Sequence, residues 1–448
     1  MTRLLALGAR LARVPVVVSL VLLVVLRLAA GVAFDAGDVD LYEFGVIATN
    51  WVNGDGYSWF SVTPTGVVEG FVPGAAYLPG AFMPPAYVVV VAGATVLARA
   101  LALGPEGVVW IVRVVNTLLA AAGLLGLFVL VRALAGATAA RVACLVLAVL
   151  PTAVYLATQV SAANLYLPLE IWLLAGLAVL AGAATWRRLV LVAVGLGLLC
   201  LLRSEAVVIV PLVALWVAAF ARPLVTDRRS RLAVAGVVVI VAAVLPATWA
   251  IRNTAVLGEP VLTTATTGGF NLWIGNHPGA SGSQKDADPP PELEARLAAV
   301  PVTRDYEAER DAVFRDAALD HITTDPVGTV LLDVRKLVAQ VTVDLSDPRS
   351  TNPVYLGSYL VVLVLGVGGW IRWWRQSSGA DGRARTWLIA GYVVTSLAVP
   401  TVFFALARYR LPLEVVLVVG TALLLATRPG DGAPAPTPAA DPSSVQRS

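Results

Sequence analysis

Apolar runs long enough to span a bilayer recur from one end of this sequence to the other. Hydrophobic residues occupy 58% of the 448 positions and charged residues only 14%, well below the charged fraction that soluble globular proteins carry. A helix needs about 20 apolar residues to cross the hydrocarbon core of a membrane. The sequence therefore predicts an all-α polytopic membrane protein.

Polar stretches divide these runs into a single membrane domain with two large loops. The loops cover about 35–84 and 252–353. The Pro-, Ala- and Ser-rich residues 428–448 are expected to form a disordered cytoplasmic tail. Domain 1–427 should hold about 10–11 transmembrane helices. The apolar segments are 14–34, 85–103, 113–131, 138–156, 164–184, 188–203, 206–221, 232–251, 354–374, 386–406 and 410–427.

Arginines set the predicted orientation of these segments. The Arg-rich stretches 222–231 and 372–385 belong in the cytoplasm because basic loops stay inside. Both large loops then lie outside. Four apolar segments separate the first loop from Arg187, although an odd number of crossings is required. Segment 85–103 is the first candidate for one that does not span. The net charge of +3 gives no reason to expect a nucleic-acid partner.

A group of acidic residues directly follows the first apolar segment. Asp35, Asp38, Asp40 and Glu43 fall within nine residues, with no basic residue nearby. Two interpretations remain open. The carboxylates form a solvated loop face, or they are partly desolvated at the membrane face. In the second case their pKa rises, and one of them can act as a general base toward a hydroxyl.

Several arginines fall on the predicted outer side, where short loops are normally depleted of positive charge. Arg408 and Arg410 lie between the last two segments, and Arg252 and Arg203 follow earlier ones. Each needs a local partner. A phosphate at the membrane surface is one, because a guanidinium binds phosphate with two parallel hydrogen bonds. An internal pair with a carboxylate, such as Arg203 with Glu205, is the other. For Arg408 and Arg410 we expect phosphate.

The second loop opens with the glycine-rich stretch 258–282. We expect turns there, with Phe270 and Trp273 exposed on a surface suited to sugar stacking and hydrogen bonding.

The sequence predicts two helices after it, separated by Asp325 and Pro326. Apolar residues at 312, 319 and 322 recur at near-helical spacing beside a dense charged face. This part of the loop is predicted to contain an amphipathic helix lying along the outer membrane surface.

Taken in order, several landmarks resemble the GT-C membrane glycosyltransferases, the superfamily that includes protein O-mannosyltransferases and lipid A aminoarabinose transferases. The resemblance covers about 14–427. The landmarks are an aspartate before an aromatic (Asp38 or Asp40, Tyr42 or Phe44), an "A-x-N-x-x-x-G-x-G-Y" run (Ala48, Asn50, Gly54, Gly56, Tyr57), "PP-x-Y" (Pro84, Pro85, Tyr87), "R-x-x-N" (Arg113, Asn116), "LLRSEA" at 201–206, the stretch 251–282 and "RYRLPLE" at 408–414.

The resemblance implies a GT-C-like helical bundle and a glycosyltransferase of the plasma membrane acting on its outer face. The implied donor is a polyprenyl-phosphate-linked sugar; the acceptor, a glycan, lipid or protein, stays open. An aspartate would take the acceptor's proton, and the sugar would be transferred with inversion. Arg408, Arg410 and Arg252 would bind the donor phosphate. Residues expected to contact substrate are Tyr42, Phe44, Tyr87, Asn271 and Asn276.

Two departures from the family pattern leave questions open. Spacing from Ala48 favours Asp40 as the base, with Phe44 as its aromatic, whereas the identity of the aromatic favours Asp38 with Tyr42. Many relatives also carry an acid where this chain has Ala163. Its role is absent here or taken by Glu170. No cofactor is certain, no metal ligands are assigned, and a divalent cation remains possible.

The alternative function is a transporter or flippase of lipid-linked sugars. Transport normally uses ionisable residues at mid-membrane depth. Arg27, Arg113 and Glu170 are the few candidates, and most of the charge lies at one face, which favours the transferase.

Overall fold

The structure, a computed structural model, describes residues 2–37, 39–220, 224–225, 227–282, 288–342, 351–377 and 379–426. Helices dominate these ranges. The α-helices are α1 (Thr2–Leu11), α2 (Val16–Ala33), α3 (Tyr42–Asn53), α4 (Pro85–Ala100), α5 (Pro105–Val149), α6 (Pro151–Leu156), α7 (Ala163–Gly182), α8 (Trp186–Cys200), α9 (Ile209–Phe220), α10 (Arg228–Leu257), α11 (Gly268–Gly275), α12 (Pro291–Ala298), α13 (Tyr306–Thr324), α14 (Pro326–Val341), α15 (Pro353–Gln376), α16 (Gly379–Val402) and α17 (Leu411–Ala426). Two 3₁₀ helices cover Ser204–Val208 and Ala407–Arg410.

Helix α5 is a hairpin of two spans rather than one long rod. Gly136 sits inside it with φ 87° and ψ 175°, a backbone conformation that favours glycine. The thiol of Cys144 lies 3.5 Å from the carbonyl oxygen of Leu124, although twenty residues of straight helix would separate them by about 30 Å. The predicted segments 113–131 and 138–156 therefore fold back on each other.

Hydrogen bonds bring the arginine-rich connections between helices together at one end of the bundle. Arg141 donates to the carbonyl of Ala12 at 3.4 Å, and Arg231 donates to that of Ala218 at 3.1 Å. The indole of Trp216 donates to the carbonyl of Ala384 at 2.9 Å. The two large loops lie at the opposite end, which we call the loop end of the bundle.

Helix α4 does not cross between these two ends. Its first turn contacts the start of α3 through Tyr87 and Phe44, whose ring centroids lie 5.1 Å apart. Near its other end Arg99 donates to Asn53, the last residue of α3, at 2.8 Å. Because both ends of α4 meet the same loop helix, α4 lies beside α3. Three crossings then separate the first loop from Arg187, the odd number that the predicted orientation requires.

The predicted fold class is confirmed. Six helical segments among the described residues are long and apolar enough to cross a membrane, and Pro85–Ala100 and Ser204–Phe220 are shorter apolar helices. Among the described residues we assign ten helices to the bundle when the halves of α5 are counted separately. They are α2, both halves of α5, α7, α8, α9, α10, α15, α16 and α17.

A small antiparallel sheet in the first loop was not predicted. Its strands are β1 (Phe60–Thr63), β2 (Gly66–Glu69) and β3 (Ala76–Tyr77), in the order β2-β1-β3. Phe60 packs edge-on against Tyr306 of α13 with ring centroids 5.5 Å apart, and Arg310 of α13 pairs with Glu69 at 2.8 Å. The two loops therefore pack against each other.

The second loop shares a hydrophobic core with the connection between α16 and α17. Trp273, Phe314 and Phe404 are buried together there, so the prediction that Trp273 is exposed is wrong. Its indole is only 1% exposed because α11 packs against α13, and Phe270 is partly buried beside it. The predicted break at Asp325 and Pro326 is confirmed by the end of α13 and the start of α14.

Candidate active site

Each residue of the "A-x-N-x-x-x-G-x-G-Y" run has a structural role in shaping the first loop. Ala48 is buried, and the Asn50 amide donates to the carbonyl of Ser58 at 3.0 Å. Gly54 ends α3 with φ 91°, and Gly56 follows with φ 90°, conformations that side chains disfavour. The Tyr57 hydroxyl donates to the carbonyl of Met83 at 2.6 Å. The run fixes α3 and so positions the acidic residues before it.

Asp40 stands at the entrance to α3 with its side chain exposed. Its Oδ1 accepts a hydrogen bond from the backbone N–H of Tyr42 at 2.7 Å, the local turn that short acidic side chains form with the backbone. Tyr42 has φ 51°, which is uncommon for a residue with a side chain, and its ring is exposed. Asp38 lies outside the described residues, so the choice between the two registers stays open.

Glu43, in the first turn of α3, couples this acidic entrance to the far end of the chain. Burial raises the pKa of Glu43, and the charge of Asp40 raises it further, whereas the positive charge of Arg408 lowers it. These effects act only between groups that lie near one another. The charges of Asp40 and Arg408 therefore both act on Glu43, and we call these three residues the open cluster.

Arg408 is exposed, and its guanidinium lies over the ring of Tyr409 at 5.6 Å. Among the described residues it makes no ion pair as close as 4.0 Å. Its charge is therefore available to a ligand at this face.

Arg410 points the other way, into the protein. Its Nε donates to Glu414 at 3.0 Å and its Nη1 to the carbonyl of Thr342 at 3.0 Å. The guanidinium stacks on Tyr359 at 3.9 Å, and Thr152 donates to the other oxygen of Glu414. Arg410 is 4% and Glu414 0% exposed. This buried Arg410 cluster joins the start of α17 to α6, α14 and α15.

The other two outer arginines also have internal partners. Arg252 lies between the rings of Tyr57 and Trp249, 5.2 and 5.0 Å from their centroids, and donates to the carbonyl of Gly80. Arg203 pairs with Glu205, the internal alternative considered from the sequence.

Tyr87 is buried in a hydrogen-bond network that joins the first loop to the helices of the bundle. Its hydroxyl donates to Asn116 at 3.2 Å and accepts from the backbone N–H of Ser161 at 3.2 Å. Arg113 donates to the carbonyls of Gly31 and Asp35 at 2.7 and 3.3 Å, which fixes the start of the acidic run. "PP-x-Y" and "R-x-x-N" therefore tie the first loop to the bundle. Phe44, partly buried, packs on Tyr87.

Asn276 is fully engaged within the protein. Its amide donates to the carbonyls of Leu272 and Val402, both at 2.9 Å, and its oxygen accepts from Lys336 at 2.9 Å. Asn271, also predicted to contact substrate, is partly exposed on α11.

Glu307 is a buried carboxylate that sequence reasoning missed. Its Oε1 accepts from the backbone N–H of Ala81 at 2.6 Å and from the hydroxyl of Thr266. Its Oε2 is buried and has no hydrogen-bond partner within the described part of the chain. Burial raises the pKa of Glu307 to about 7, against the lowering effect of Thr266, Ala81 and Arg252. Nothing in its local sequence marked it, because its partners lie in other segments.

One group of acids among the described residues could hold a divalent cation. Ligand oxygens of Glu259, Asp305 and Glu309 lie within 4.8 Å of one another. Carboxylate oxygens are the ligands that Mg²⁺ and Ca²⁺ prefer. The three side chains are exposed or partly exposed and belong to the second loop.

Comparison with solved structures identifies the architecture. Archaeal oligosaccharyltransferase AglB from Archaeoglobus fulgidus, in complex with an inhibitory peptide and a dolichol-phosphate, aligns with a TM-score of 0.52 at 16% identity, over 91% of this chain and 49% of that one. The same oligosaccharyltransferase in complex with Zn and sulfate aligns with a TM-score of 0.50 at 15% identity, over 91% and 48%. This chain has the GT-C fold. It spans about half the length of the AglB chains.

ArnT from Cupriavidus metallidurans bound to undecaprenyl phosphate aligns over 90% of this chain and 77% of its own, at 15% identity and a TM-score of 0.38. No protein-family model matches the sequence, and a search of curated proteins finds no match. At these identities the likeness concerns the fold alone, and one fold supports many chemistries.

Proposed function

We propose that this protein is a membrane glycosyltransferase that moves a sugar from a polyprenyl-phosphate-linked donor to an acceptor hydroxyl at the extracytoplasmic face. The observation that carries the proposal is the open cluster, in which the charge of Arg408, from the far end of the chain, acts on an acid from its front. The fold supports it, since the AglB structure that shares it is described in complex with a dolichol-phosphate.

The proposed reaction is a single displacement. Asp40, or Asp38 in the other register, accepts the proton of the acceptor hydroxyl. The hydroxyl oxygen bonds to the anomeric carbon from the face opposite the donor phosphate. The bond from that carbon to the phosphate oxygen breaks with its electron pair, so the sugar is transferred with inversion and polyprenyl phosphate departs.

Arg408 is the proposed ligand of the phosphate. Its guanidinium can place two hydrogen bonds on phosphate oxygens and stabilise the charge that grows as the bond breaks. A phosphate monoester already tolerates charge, so holding the donor in place matters as much. We assign Arg410 and Arg252 to positioning, because both have internal partners. Tyr42 and Asn271 remain candidate substrate contacts. We assign Phe44, Tyr87 and Asn276 to the protein structure around the proposed site.

A divalent cation is compatible with this proposal at Glu259, Asp305 and Glu309. It would neutralise charge on the second loop, and we assign it no step. Rates measured with EDTA and after adding back Mn²⁺ or Mg²⁺ test whether transfer needs one.

The transferase is tested by assaying the purified protein in nanodiscs with polyprenyl-phosphate monosaccharides and measuring released polyprenyl phosphate. Asp40→Asn, Asp38→Asn and the double variant distinguish the two registers. Loss of a general base should slow transfer about 10²–10⁴-fold. Asp316→Asn, an exposed acid of α13, is the matched control. Wild-type turnover by the double variant would rule out the mechanism.

The alternative of a flippase makes a different prediction for the same samples. It requires lipid-linked sugar to change leaflets without release of polyprenyl phosphate. Arg113, one of its intramembrane candidates, is bound to backbone carbonyls, which favours a structural role. Mass spectrometry of envelope glycans in a deletion strain would identify the acceptor.

A further inference from the structure

Helix α14 exposes apolar side chains and buries polar ones, the reverse of the pattern expected for a helix surrounded by water. It lies in the second loop, yet its exposed face is apolar. The residues of this face, which we call the α14 apolar face, are Val327, Val330, Leu331, Val334, Leu337 and Val338, all between 38% and 71% exposed. They recur at the three- and four-residue spacing that places side chains on one side of a helix.

The opposite face of α14 buries polar side chains. Lys336 is 1% exposed and Gln340 3%. Lys336 donates to Asn276 at 2.9 Å and to Asp333 at 3.0 Å. Burial of a lysine is costly unless its charge is paired, so this face is held against the protein. The outward direction of the valines and leucines is therefore fixed.

Helix α13, the preceding helix, has the ordinary pattern. It buries Phe314 and Ala318 and exposes charged residues, including Arg315, Asp316 and Asp320. The amphipathic surface helix predicted from positions 312, 319 and 322 falls on α13, whose buried face packs against α11 and whose Leu319 is exposed; for α13 it stays a prediction. The apolar outer face belongs to α14.

Helix α14 is continuous with the lipid-facing surface of the spans. It packs against α16, and the amide of Gln340 lies 3.5 Å from the hydroxyl of Thr401 near the end of that helix. The hydroxyl of Tyr359 in α15 donates to the carbonyl of Val341. On α16, Val394 and Val402 are 63% and 52% exposed, so apolar surface runs from the spans toward α14.

We propose that the α14 apolar face lies among the acyl chains of the lipid leaflet at the loop end of the bundle. The helix is 16 residues long, about 24 Å, too short to cross a bilayer and suited to lying in its plane. Arg335, exposed beside this face, can reach lipid headgroups.

This contact ties the site to the membrane surface. The inner face of α14 holds Asn276 through Lys336, and its last turn leads to Thr342, whose carbonyl accepts from Arg410. Lipid contact through α14 therefore sets the height of the 3₁₀ helix Ala407–Arg410, which carries Arg408, above the leaflet. The proposal of lipid contact stands whether or not the protein transfers sugar.

The experiment places an environment-sensitive NBD fluorophore on single cysteines in the full chain, reconstituted in phosphatidylethanolamine–phosphatidylglycerol nanodiscs. Leu331→Cys and Val334→Cys report on the α14 apolar face, and Asp320→Cys on α13 is the matched control. The two native cysteines, Cys144 and Cys200, are buried, which keeps them from labelling. Quenching is measured with aqueous iodide and with lipids carrying a nitroxide on the acyl chain.

At 331 and 334 we expect blue-shifted emission, strong quenching by nitroxide lipid and at least fivefold weaker quenching by iodide than at 320. Iodide quenching equal to that at 320 would place the face in water and overturn the proposal. Protection from both quenchers, with cross-linking between two chains through Leu331→Cys, would make the face an interface between copies and overturn it equally. Val327→Cys gives an independent reading near the start of the helix.

Discussion

Arg408 and Arg410 stand two residues apart before α17 and carry the same charge, yet their surroundings are opposite. Arg408 is exposed in the open cluster, and its charge reaches Glu43 of the first loop. Arg410 is buried against Glu414, Tyr359 and the carbonyl of Thr342. The difference separates two tasks. A charge without an internal partner can bind a ligand, while a fully partnered one fixes the segment that presents it.

The largest effect is expected from Arg410→Ala. This change leaves Glu414 buried without its cation, and breaking a buried ion pair in this way costs about 3–5 kcal/mol. The Tm in detergent should fall strongly, with loss of folded yield. Replacing both partners with apolar residues, as Arg410→Met with Glu414→Leu, should recover most of the Tm. A Tm for Arg410→Ala equal to that of the wild type would show that Arg410 does not stabilise the fold.

Arg408→Gln should instead leave Tm unchanged and slow sugar transfer. Hydrogen bonds to a charged group are worth about 1.5–3 kcal/mol, which corresponds to roughly 10–100-fold in rate. Arg408→Lys should fall between, because lysine keeps the charge but loses the two-pronged geometry. The comparison fails if Arg408→Gln lowers Tm as much as Arg410→Ala does.

Glu43→Gln sharpens the description of the open cluster. The ionised carboxylate of Glu43 competes with phosphate for the charge of Arg408, so its removal should tighten polyprenyl-phosphate binding by a few-fold, the scale of one exposed charge interaction. Titration with a short-chain polyprenyl phosphate measures this. Asp316→Asn should leave the affinity unchanged. Weaker binding after Glu43→Gln would mean that Glu43 supports the phosphate site rather than opposing it.

Glu307 is a buried acid without a full set of partners among the described residues, in contrast to Glu414. Its replacement is expected to have a smaller effect, on the pH dependence of Tm. Burial raises its folded pKa to about 7, above the ordinary value of an unfolded chain, about 4.3. The folded state therefore binds the proton more tightly. Its contribution to stability should be fully present below about pH 4.3, should be lost as the pH rises from there through about 7, and should not change further above that. Glu307→Gln should reduce the change in Tm between pH 6 and pH 8; an undiminished change would exclude Glu307 as its source.

The sequence predicted the fold class, whereas several contacts around the candidate site depend on residues far apart in the chain. Apolar runs located the spans, and the count of crossings pointed to segment 85–103, which α4 bears out. The partners of Glu307 and Asn276 come from distant segments, so no local pattern could reveal them. The ion pair of Arg410 does have a local signal, because Glu414 lies four residues later, about one turn of helix away. Trp273 is buried because α13 packs over α11. The glycine-rich sequence around Trp273 gives no sign of this distant contact.

The central claim is that one site holds donor phosphate with Arg408 and removes the acceptor proton with an acid before α3. The most direct test measures polyprenyl-phosphate affinity and sugar transfer on the same nanodisc samples of Arg408→Gln and of Asp38→Asn with Asp40→Asn. We expect Arg408→Gln to lose at least tenfold in affinity. The double aspartate variant should keep wild-type affinity and lose about 10²–10⁴-fold in transfer rate. Wild-type affinity in the first variant together with wild-type transfer in the second would contradict the account.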